Sequence, residues 1–233
     1  MSSQSRNDIE SESGNQLFPV FLKLNQLRVL LVGAGNIGYE KIRALLSNSP
    51  EASIDIVAET YLPELLDYVS LFPKVKLHFK RFEKSDLSGH DLVIIATGNN
   101  ELNVAIRESA RELNLLINVA DKPDLCDFYL GSVVKKGNLK IGISTNGKSP
   151  TIAKRLKELF QESLPDELDQ TLDQMNKLRN NLKGDFAHKV NELNKVTSVL
   201  ISETAAKNKA KSKWYLMLAL LFAGLILSGL VLW

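Results

Sequence analysis

The sequence predicts an α/β fold built on a parallel, doubly wound sheet, and three observations support this prediction. Short apolar runs alternate with segments of helical periodicity from residue 28 to about residue 120. The run at 91–97, DLVIIAT, has an unbroken apolar centre, as is typical of a strand covered on both faces. A glycine-rich turn joins the first strand to the first helix. Alternation at this spacing indicates parallel strands connected by crossover helices.

The individual elements follow in a regular order. Strands are predicted at 28–32, 54–58, 75–79, 91–97 and 115–121, with helices beginning near residues 37, 63 and 101. The pattern then changes, because two short apolar runs joined by Lys136-Gly137-Asn138 are typical of a β-hairpin. Ser149 followed by Pro150 predicts the N-cap and first residue of a helix. Residues 166–206 keep a helical composition.

Composition limits the classes of site and partner. The 233 residues carry a net charge of +2 and one cysteine, Cys126, which excludes an internal disulfide and fits a reducing compartment. The three histidines are scattered, so no metal site is recognisable and metal ligands stay unknown. The basic residues are not interleaved with aromatic ones, and we expect no nucleic-acid partner.

The two ends of the chain differ in character from its centre. Residues 1–16 are rich in Ser, Asn and Glu, which predicts a disordered tail. Residues 214–233 carry no charge, and a helix of this length spans about 30 Å, the thickness of a bilayer core. Four lysines within 207–213 form a basic linker before it, which places the body in the cytoplasm, anchored to the inner membrane. A buried core helix is the alternative for 214–233.

The glycine-rich turn, Gly33-Ala34-Gly35-Asn36-Ile37-Gly38, matches the G-x-G-x-x-G pattern of dinucleotide sites. Gly33 permits a tight turn, Gly35 lets the backbone approach a pyrophosphate, and Gly38 lets the helix pack closely on the strand. The N-terminus of the helix supplies N–H groups and a partial positive charge. The turn therefore predicts a Rossmann-like dinucleotide site, with a purely structural turn as the alternative.

An acid near the end of the second strand supports NAD as the cofactor. Glu59 lies 21 residues after Gly38, where a carboxylate accepts hydrogen bonds from ribose hydroxyls and repels a 2′-phosphate. Asp55 is the rival acid, but it lies inside the predicted strand. We therefore expect NAD rather than NADP.

Polar residues follow the fourth and fifth predicted strands, where ligands of an open parallel sheet gather. Thr97 and Gly98 are expected to border the cofactor. Asp121 ends the fifth strand, where a free carboxylate can face the nicotinamide and take a proton. A role for Asp121 as a turn or cap residue is the alternative, and Asp124 and Asp127 are competing acids.

The segment STNGKSP at 144–150 precedes a predicted helix N-terminus. Backbone N–H groups, hydroxyls and a lysine there form an anion-friendly arrangement, which basic residues continue along the helix. A solvated basic face is one interpretation and a surface for a polycarboxylate is the other. The residues concerned are Thr145, Asn146, Gly147, Lys148, Lys154, Arg155 and Lys157.

Taken together, these segments resemble the precorrin-2 dehydrogenase/sirohydrochlorin ferrochelatase family, the N-terminal module of siroheme synthase. The resemblance implies NAD-dependent oxidation of precorrin-2 to sirohydrochlorin, with ferrous iron as a second substrate in members that also make siroheme. It rests on LFPVFLKL, VLLVGAGNIGYEKIRALL, VIIATGNNELN, INVADKPDLCDF and IGISTNGKSPTIAKRLKELF.

The resemblance also implies roles for particular residues. The essential aspartate of the family falls on Asp121, cofactor contacts fall on Asn36, Ile37, Glu59 and Thr60, and a hydroxyl residue falls on Thr145. The tetrapyrrole substrate carries many carboxylates, which Lys148 and the basic helix would offset. Family members are typically homodimers that share the hairpin and helical region. The family often has two glycines where this chain has Asn146-Gly147, and Asn tolerates a left-handed backbone.

The expected organisation has six parts, and three functions remain open. The first function is the dehydrogenase with chelatase activity, the second is the dehydrogenase alone, and the third is a membrane-tethered NAD-binding module without catalysis. The parts are a tail at 1–16, an NAD-binding Rossmann-like domain at 17–130, a hairpin/dimerisation region at 131–148, a helical region at 149–206, a basic juxtamembrane linker at 207–213 and a transmembrane helix at 214–233.

Overall fold

The computed structural model describes residues 14–182 and 187–195 of the chain. The predicted basic linker and transmembrane helix lie outside the described residues, as does most of the predicted tail. The chain divides into two compact units, Met1–Pro165 and Asp166–Trp233. Within the described residues, all strands belong to the first unit.

A five-stranded parallel sheet forms the centre of the first unit. Its strands are β1 Arg28–Ala34, β2 Ser53–Tyr61, β3 Val75–Phe79, β4 Leu92–Ile95 and β5 Leu116–Val119. They lie in the order β3-β2-β1-β4-β5. This confirms the predicted α/β, Rossmann-like architecture. The strand order reverses between β1 and β4, so the switch point where such folds bind ligands lies at the carboxyl end of β1.

Apolar residues alternate along the strands and fill a layer on each face of the sheet. Leu31 of β1 packs in one cluster with Ile42, and Leu30 packs in the other cluster with Ile106. Between β3 and β4 the connection contains only the short 3-10 helix Lys84–Leu87. The α-helices that join the other strands are α1 Asn36–Asn48, α2 Pro63–Val69 and α3 Asn100–Glu112.

The strand boundaries differ from the predicted ones. β2 continues to Tyr61 because that residue pairs with Ala34, beyond an irregularity in β1 between Val32 and Ala34. β4 and β5 end together at the paired residues Ile95 and Val119. The polar residues beyond them therefore belong to loops, which leaves them available to a site.

The predicted hairpin is present, with β6 Ser132–Lys136 antiparallel to β7 Leu139–Ile143. Its tip contacts the C-terminal end of α1, where Lys135 Nζ donates to the Ser47 carbonyl at 3.0 Å and Lys140 Nζ to the Asn48 carbonyl at 2.6 Å. Helix C-terminal carbonyls lack intrahelical donors, so the two lysines satisfy them. The hairpin is thus bonded to the end of α1 that is remote from the glycine turn.

The helices after the hairpin follow the sequence prediction in part. α4 Pro150–Ser163 begins at the predicted N-cap, and Gln161 on it bonds both backbone groups of Lys135 on β6. In the second unit, α5 Leu168–Asn181 and residues 187–195 are helical. None of the helices within 14–182 and 187–195 is long and apolar enough to cross a membrane.

Candidate functional site

The carboxyl ends of β1, β4 and β5 lie side by side. Val32 pairs with Ile95, and Ile95 pairs with Val119, so β4 and β5 end at one level, and β1 continues two residues further to Ala34. The loops that carry the glycine turn, Thr97 and Asp121 leave the sheet from these ends. The fold therefore brings together three of the segments that the sequence assigned to one site.

At two of the three glycines of the turn, neighbouring backbone atoms leave no room for a side chain. Gly33 has φ +102°, and a Cβ there would lie 2.5 Å from the Ala96 carbonyl oxygen. A Cβ on Gly38 would overlap the carbonyl oxygen of Gly33. A Cβ on Gly35 would meet no atom within 4 Å. Gly33 and Gly38 thus permit close packing, whereas Gly35 borders open space.

The N-terminus of α1 leaves backbone N–H groups available to an anion. Its N-cap is Gly35, which has no side chain to cap the helix, and no acidic residue lies in the first turn. The first backbone bond runs from Tyr39 N–H to the Gly35 carbonyl at 2.8 Å. The N–H groups of Asn36, Ile37 and Gly38 therefore have no intrahelical acceptor. Such a terminus fits a pyrophosphate.

The acid predicted to meet the ribose, Glu59, lies in β2 near its carboxyl end, and both it and Thr60 are exposed. Arg81 Nε donates to Glu59 Oε1 at 2.7 Å. Sequence reasoning missed Arg81. It follows β3, the strand beside β2, so the order of neighbouring strands is the signal that could have found it.

The rival acid, Asp55, is held by two histidines and has a structural role. Its two carboxylate oxygens contact His78 Nε2 at 2.8 Å and His90 Nε2 at 3.1 Å. Burial raises the pKa of Asp55, but the hydrogen bonds and charges of the two imidazoles lower it by more. Asp55 thus joins β2 to β3 and to the loop before β4, within the sheet.

The loop after β4 is held by a residue that sequence reasoning missed. Asn103 on α3 is 3% exposed, and its Nδ2 donates to the Thr97 carbonyl at 3.2 Å. The Thr97 hydroxyl in turn donates to Asn103 Oδ1. The Thr97 side chain is therefore bonded to α3 and fixes the conformation of the loop. Gly98, the next residue, is exposed and has open space around it.

Asp121 follows β5 in a left-handed conformation, with φ +57°. Ala120 N–H donates to the Ile95 carbonyl at 2.9 Å, and Lys122 N–H donates to the Val119 carbonyl at 3.3 Å, so the chain turns sharply at Asp121. The residue is exposed, and its carboxylate has no hydrogen bond or ion pair within the described part of the chain. Unusual backbone conformations of this kind concentrate at functional sites.

One of the two competing acids, Asp127, differs from Asp121 in its partners. Asp127 forms a bidentate ion pair with Arg107, at 2.7 and 2.9 Å, and accepts from Ile117 N–H at 3.1 Å. Asp124 lies exposed in the 3-10 helix Pro123–Leu125. Asp127 is therefore held by its ion pair, and Asp121 differs from Asp124 in lying just after the end of β5 rather than in the 3-10 helix.

The thiol of Cys126, in the same loop, is bonded to the backbone of β5. Its Sγ lies 3.2 Å from both the N and the O of Val119. Burial raises the pKa of this thiol. A protonated, hydrogen-bonded thiol is a poor nucleophile, so Cys126 acts as a tie between the loop and β5.

The loop before α4 satisfies its own polar groups. The Thr145 hydroxyl donates to the Ser149 carbonyl at 3.1 Å and accepts from Ser149 N–H at 3.2 Å. The Ser149 hydroxyl accepts from Ile152 N–H at 3.2 Å. Asn146 and Gly147 have φ values of +53° and +74°, so Asn adopts the left-handed backbone as predicted.

The basic side chains around this loop face solvent. Lys148 is exposed at the end of the loop, as are Lys154, Arg155 and Lys157 on α4.

Among residues 14–182 and 187–195, no group of three or more His, Cys, Asp and Glu side chains is arranged to hold a metal ion.

Two family models match adjoining parts of the chain. Residues 20–132 match a family described as putative NAD(P)-binding, and residues 136–163 match the family of the sirohaem biosynthesis protein central domain. Similarity to a solved structure titled "SirC, precorrin-2 dehydrogenase" covers 77% of this chain and 89% of that one, with a TM-score of 0.61 and 23% identity. This likeness shows a shared fold.

Curated relatives agree with the family models. The siroheme synthase of Pseudoalteromonas atlantica is 32% identical over 174 residues, which are 73% of this chain and 36% of that protein. The siroheme synthase of Methylococcus capsulatus is 33% identical over 150 residues, 63% of this chain and 30% of that protein. The fold thus defines a Rossmann-like protein, and the family model over residues 20–132 supports NAD(P) binding. Within that class, the comparisons support the siroheme synthase family, and the chain spans about a third of the length of these relatives.

Proposed function

We propose that this chain catalyses the NAD-dependent oxidation of precorrin-2 to sirohydrochlorin in siroheme biosynthesis. One observation carries the proposal: the exposed carboxylate of Asp121, which has no partner among the described residues, lies at the same sheet edge as a helix N-terminus without a side-chain cap. The names of the siroheme synthase relatives support the pathway. The NVADKP and ISTNGKSP segments, which resemble the dehydrogenase family, support the reaction.

The cofactor contacts follow from the groups left open at this edge. The N–H groups of Asn36, Ile37 and Gly38 would meet the pyrophosphate, and Glu59 with Thr60 would meet the ribose. Thr97 and Gly98 would border the cofactor farther along the edge. When bound, NAD supplies the acceptor for a hydride.

The substrate must lose a hydride and a proton in this oxidation. The Asp121 carboxylate would take the proton, because it has no competing partner within the described residues, while bound NAD would accept the hydride. The loop of Asn146, Gly147 and Lys148 would contact carboxylates of the tetrapyrrole, with Thr145 holding that loop in shape.

Asp121→Asn in the full-length chain tests the proposal, with Asp124→Asn as the matched control three residues further on. Enzymatically generated precorrin-2 and NAD are supplied, and absorbance records NADH and sirohydrochlorin. We expect the Asp121 variant to bind NAD normally and to turn over about 100-fold more slowly or worse, since a general base contributes that much. The Asp124 variant should match the wild type.

The same assay separates the three functions. A wild type that binds NAD and never oxidises precorrin-2 would contradict the dehydrogenase and favour a tethered NAD-binding module. Adding ferrous iron as a second substrate tests the chelatase, and siroheme formed no faster than in the protein-free control would leave the dehydrogenase alone.

We also propose that the chain works as a homodimer. Supporting this, large apolar side chains are exposed on the segment before β1, including Phe18 (86%) and Phe21 (69%), and on α4, including Leu159 (55%). Light scattering on the full-length chain should give twice the monomer mass of 25.9 kDa. Phe18→Ser and Phe21→Ser together should shift it toward the monomer.

Finally, we propose that residues 214–233 anchor a cytoplasmic body to the inner membrane. The support is the uncharged stretch itself and the lysines before it. The full-length chain should sediment with membranes and resist carbonate extraction, whereas a chain ending at residue 206 should remain in the supernatant.

A further inference from the structure

The ion pair between Glu59 and Arg81 lies at the carboxyl edge of the sheet. Glu59 belongs to the last three residues of β2, and Arg81 comes two residues after β3, the neighbouring edge strand. Arg81 Nε donates to Glu59 Oε1 at 2.7 Å, with the two side chains 85% and 59% exposed. Ion pairs this exposed contribute little to stability, so the fold does not account for the arrangement.

The pair leaves binding capacity on both partners. Glu59 uses one carboxylate oxygen, and the other has no partner within the described residues. Arg81 uses only Nε, so its two Nη groups are likewise unengaged there. A carboxylate at this place suits ribose hydroxyls, whereas a guanidinium suits the 2′-phosphate that distinguishes NADP from NAD.

We propose that Glu59 and Arg81 together select the cofactor, an inference that rests on the proposed NAD-dependent function. In the pair, Arg81 orients the carboxylate toward the ribose, and Glu59 neutralises the guanidinium, so NAD is preferred. Without the Glu59 charge, Arg81 becomes a site for the 2′-phosphate, and NADP binds. Arg81 is thus a positioning residue for NAD and the latent contact for NADP.

The neighbouring Lys80 provides a control. Its Nζ pairs with Asp86 at 2.8 Å and with Glu83 at 3.2 Å, both in the connection to β4. The positive charge of Lys80 is therefore neutralised by Glu83 and Asp86, not by Glu59. A general loss of positive charge in this region would affect Lys80→Gln and Arg81→Gln alike, but cofactor selection involves only Arg81.

The test measures dissociation constants of NAD and NADP by calorimetry on full-length protein, with no tetrapyrrole present. The variants are Glu59→Gln, Arg81→Gln, the double variant and Lys80→Gln. We expect Glu59→Gln to gain about tenfold in NADP affinity and to lose a similar factor for NAD, since a charge-assisted contact is exchanged in each case. The double variant should lose the NADP gain. Arg81→Gln alone should weaken NAD by several-fold, and Lys80→Gln should change neither constant.

The outcomes separate this inference from the proposed function. Equal NADP affinity in Glu59→Gln and the double variant would overturn the role of Arg81, as would wild-type NAD affinity in Arg81→Gln. A wild type that prefers NADP would overturn the role of Glu59. A wild type that binds neither nucleotide would instead overturn the proposed function, and this inference with it.

Discussion

The N-termini of α1 and α4 make an instructive pair, because each follows a glycine-containing loop and the sequence predicts an anion site at each. At α1 the N-cap is Gly35, which offers no side chain to the first turn. At α4 the N-cap is Ser149, whose hydroxyl already accepts from Ile152 N–H. A helix N-terminus attracts an anion only where its N–H groups are not used internally. We therefore expect phosphate recognition at α1 and recognition by lysine side chains at α4.

The largest expected effect is a loss in the free energy of unfolding when a glycine in one of the two loops is replaced by alanine. Gly33→Ala places a Cβ 2.5 Å from the Ala96 carbonyl at φ +102°, whereas Gly147→Ala meets no atom within 4 Å at φ +74°. Gly33→Ala should lower the free energy of unfolding by about 3 kcal/mol or more, because it adds a clash to backbone strain. Gly147→Ala should cost about 1–2 kcal/mol from strain alone. Urea unfolding of both variants gives the comparison, and equal losses would contradict it.

A second prediction exchanges the caps. Gly35 has φ −82° and ψ −161°, a conformation open to any residue, so Gly35→Asp adds a cap and a negative charge to α1. NAD affinity should fall about 100-fold, because the carboxylate occupies the N–H groups and repels the pyrophosphate. Stability should not fall, since a cap contributes about 1 kcal/mol.

The matched change at α4 should give the opposite result. Ser149→Ala removes a cap and should cost about 1 kcal/mol in the free energy of unfolding, while the NAD dissociation constant stays unchanged. Calorimetry and urea unfolding on both variants test the pair. Normal NAD binding by Gly35→Asp would show that the α1 terminus is not the pyrophosphate site.

These contrasts mark how far the sequence predicts the molecule. The parallel sheet, the hairpin and the Ser149 cap were predicted because each depends on a local pattern of residues. The contacts of Arg81 with Glu59 and of Asn103 with Thr97 were not, since they depend on strand order and side-chain direction. The two histidines that meet on Asp55 looked unrelated for the same reason.

A third prediction concerns the lysine beside the α4 loop. Lys148→Gln should raise the KM for the tetrapyrrole about three- to tenfold, with the KM for NAD unchanged, because one exposed charge facing a carboxylate is lost. The increase should shrink at high salt. Lys74→Gln is the control, since Lys74 Nζ pairs with Glu51 at 3.0 Å near the start of β3. Equal effects of both changes would indicate a nonspecific loss of charge.

The smallest effect should come from Thr145, and it decides what the hydroxyl in this loop does. Because the hydroxyl bridges the N–H and carbonyl of Ser149, Thr145→Val should lower the free energy of unfolding by about 1 kcal/mol, and Thr145→Ser should restore it. The KM for the tetrapyrrole should rise only as far as the loop loosens, and Ser should restore it too. If Thr145→Val instead slows turnover while stability stays at the wild-type value, the hydroxyl contacts the substrate directly. The α4 loop would then resemble the α1 terminus more closely than its internal hydrogen bonds indicate.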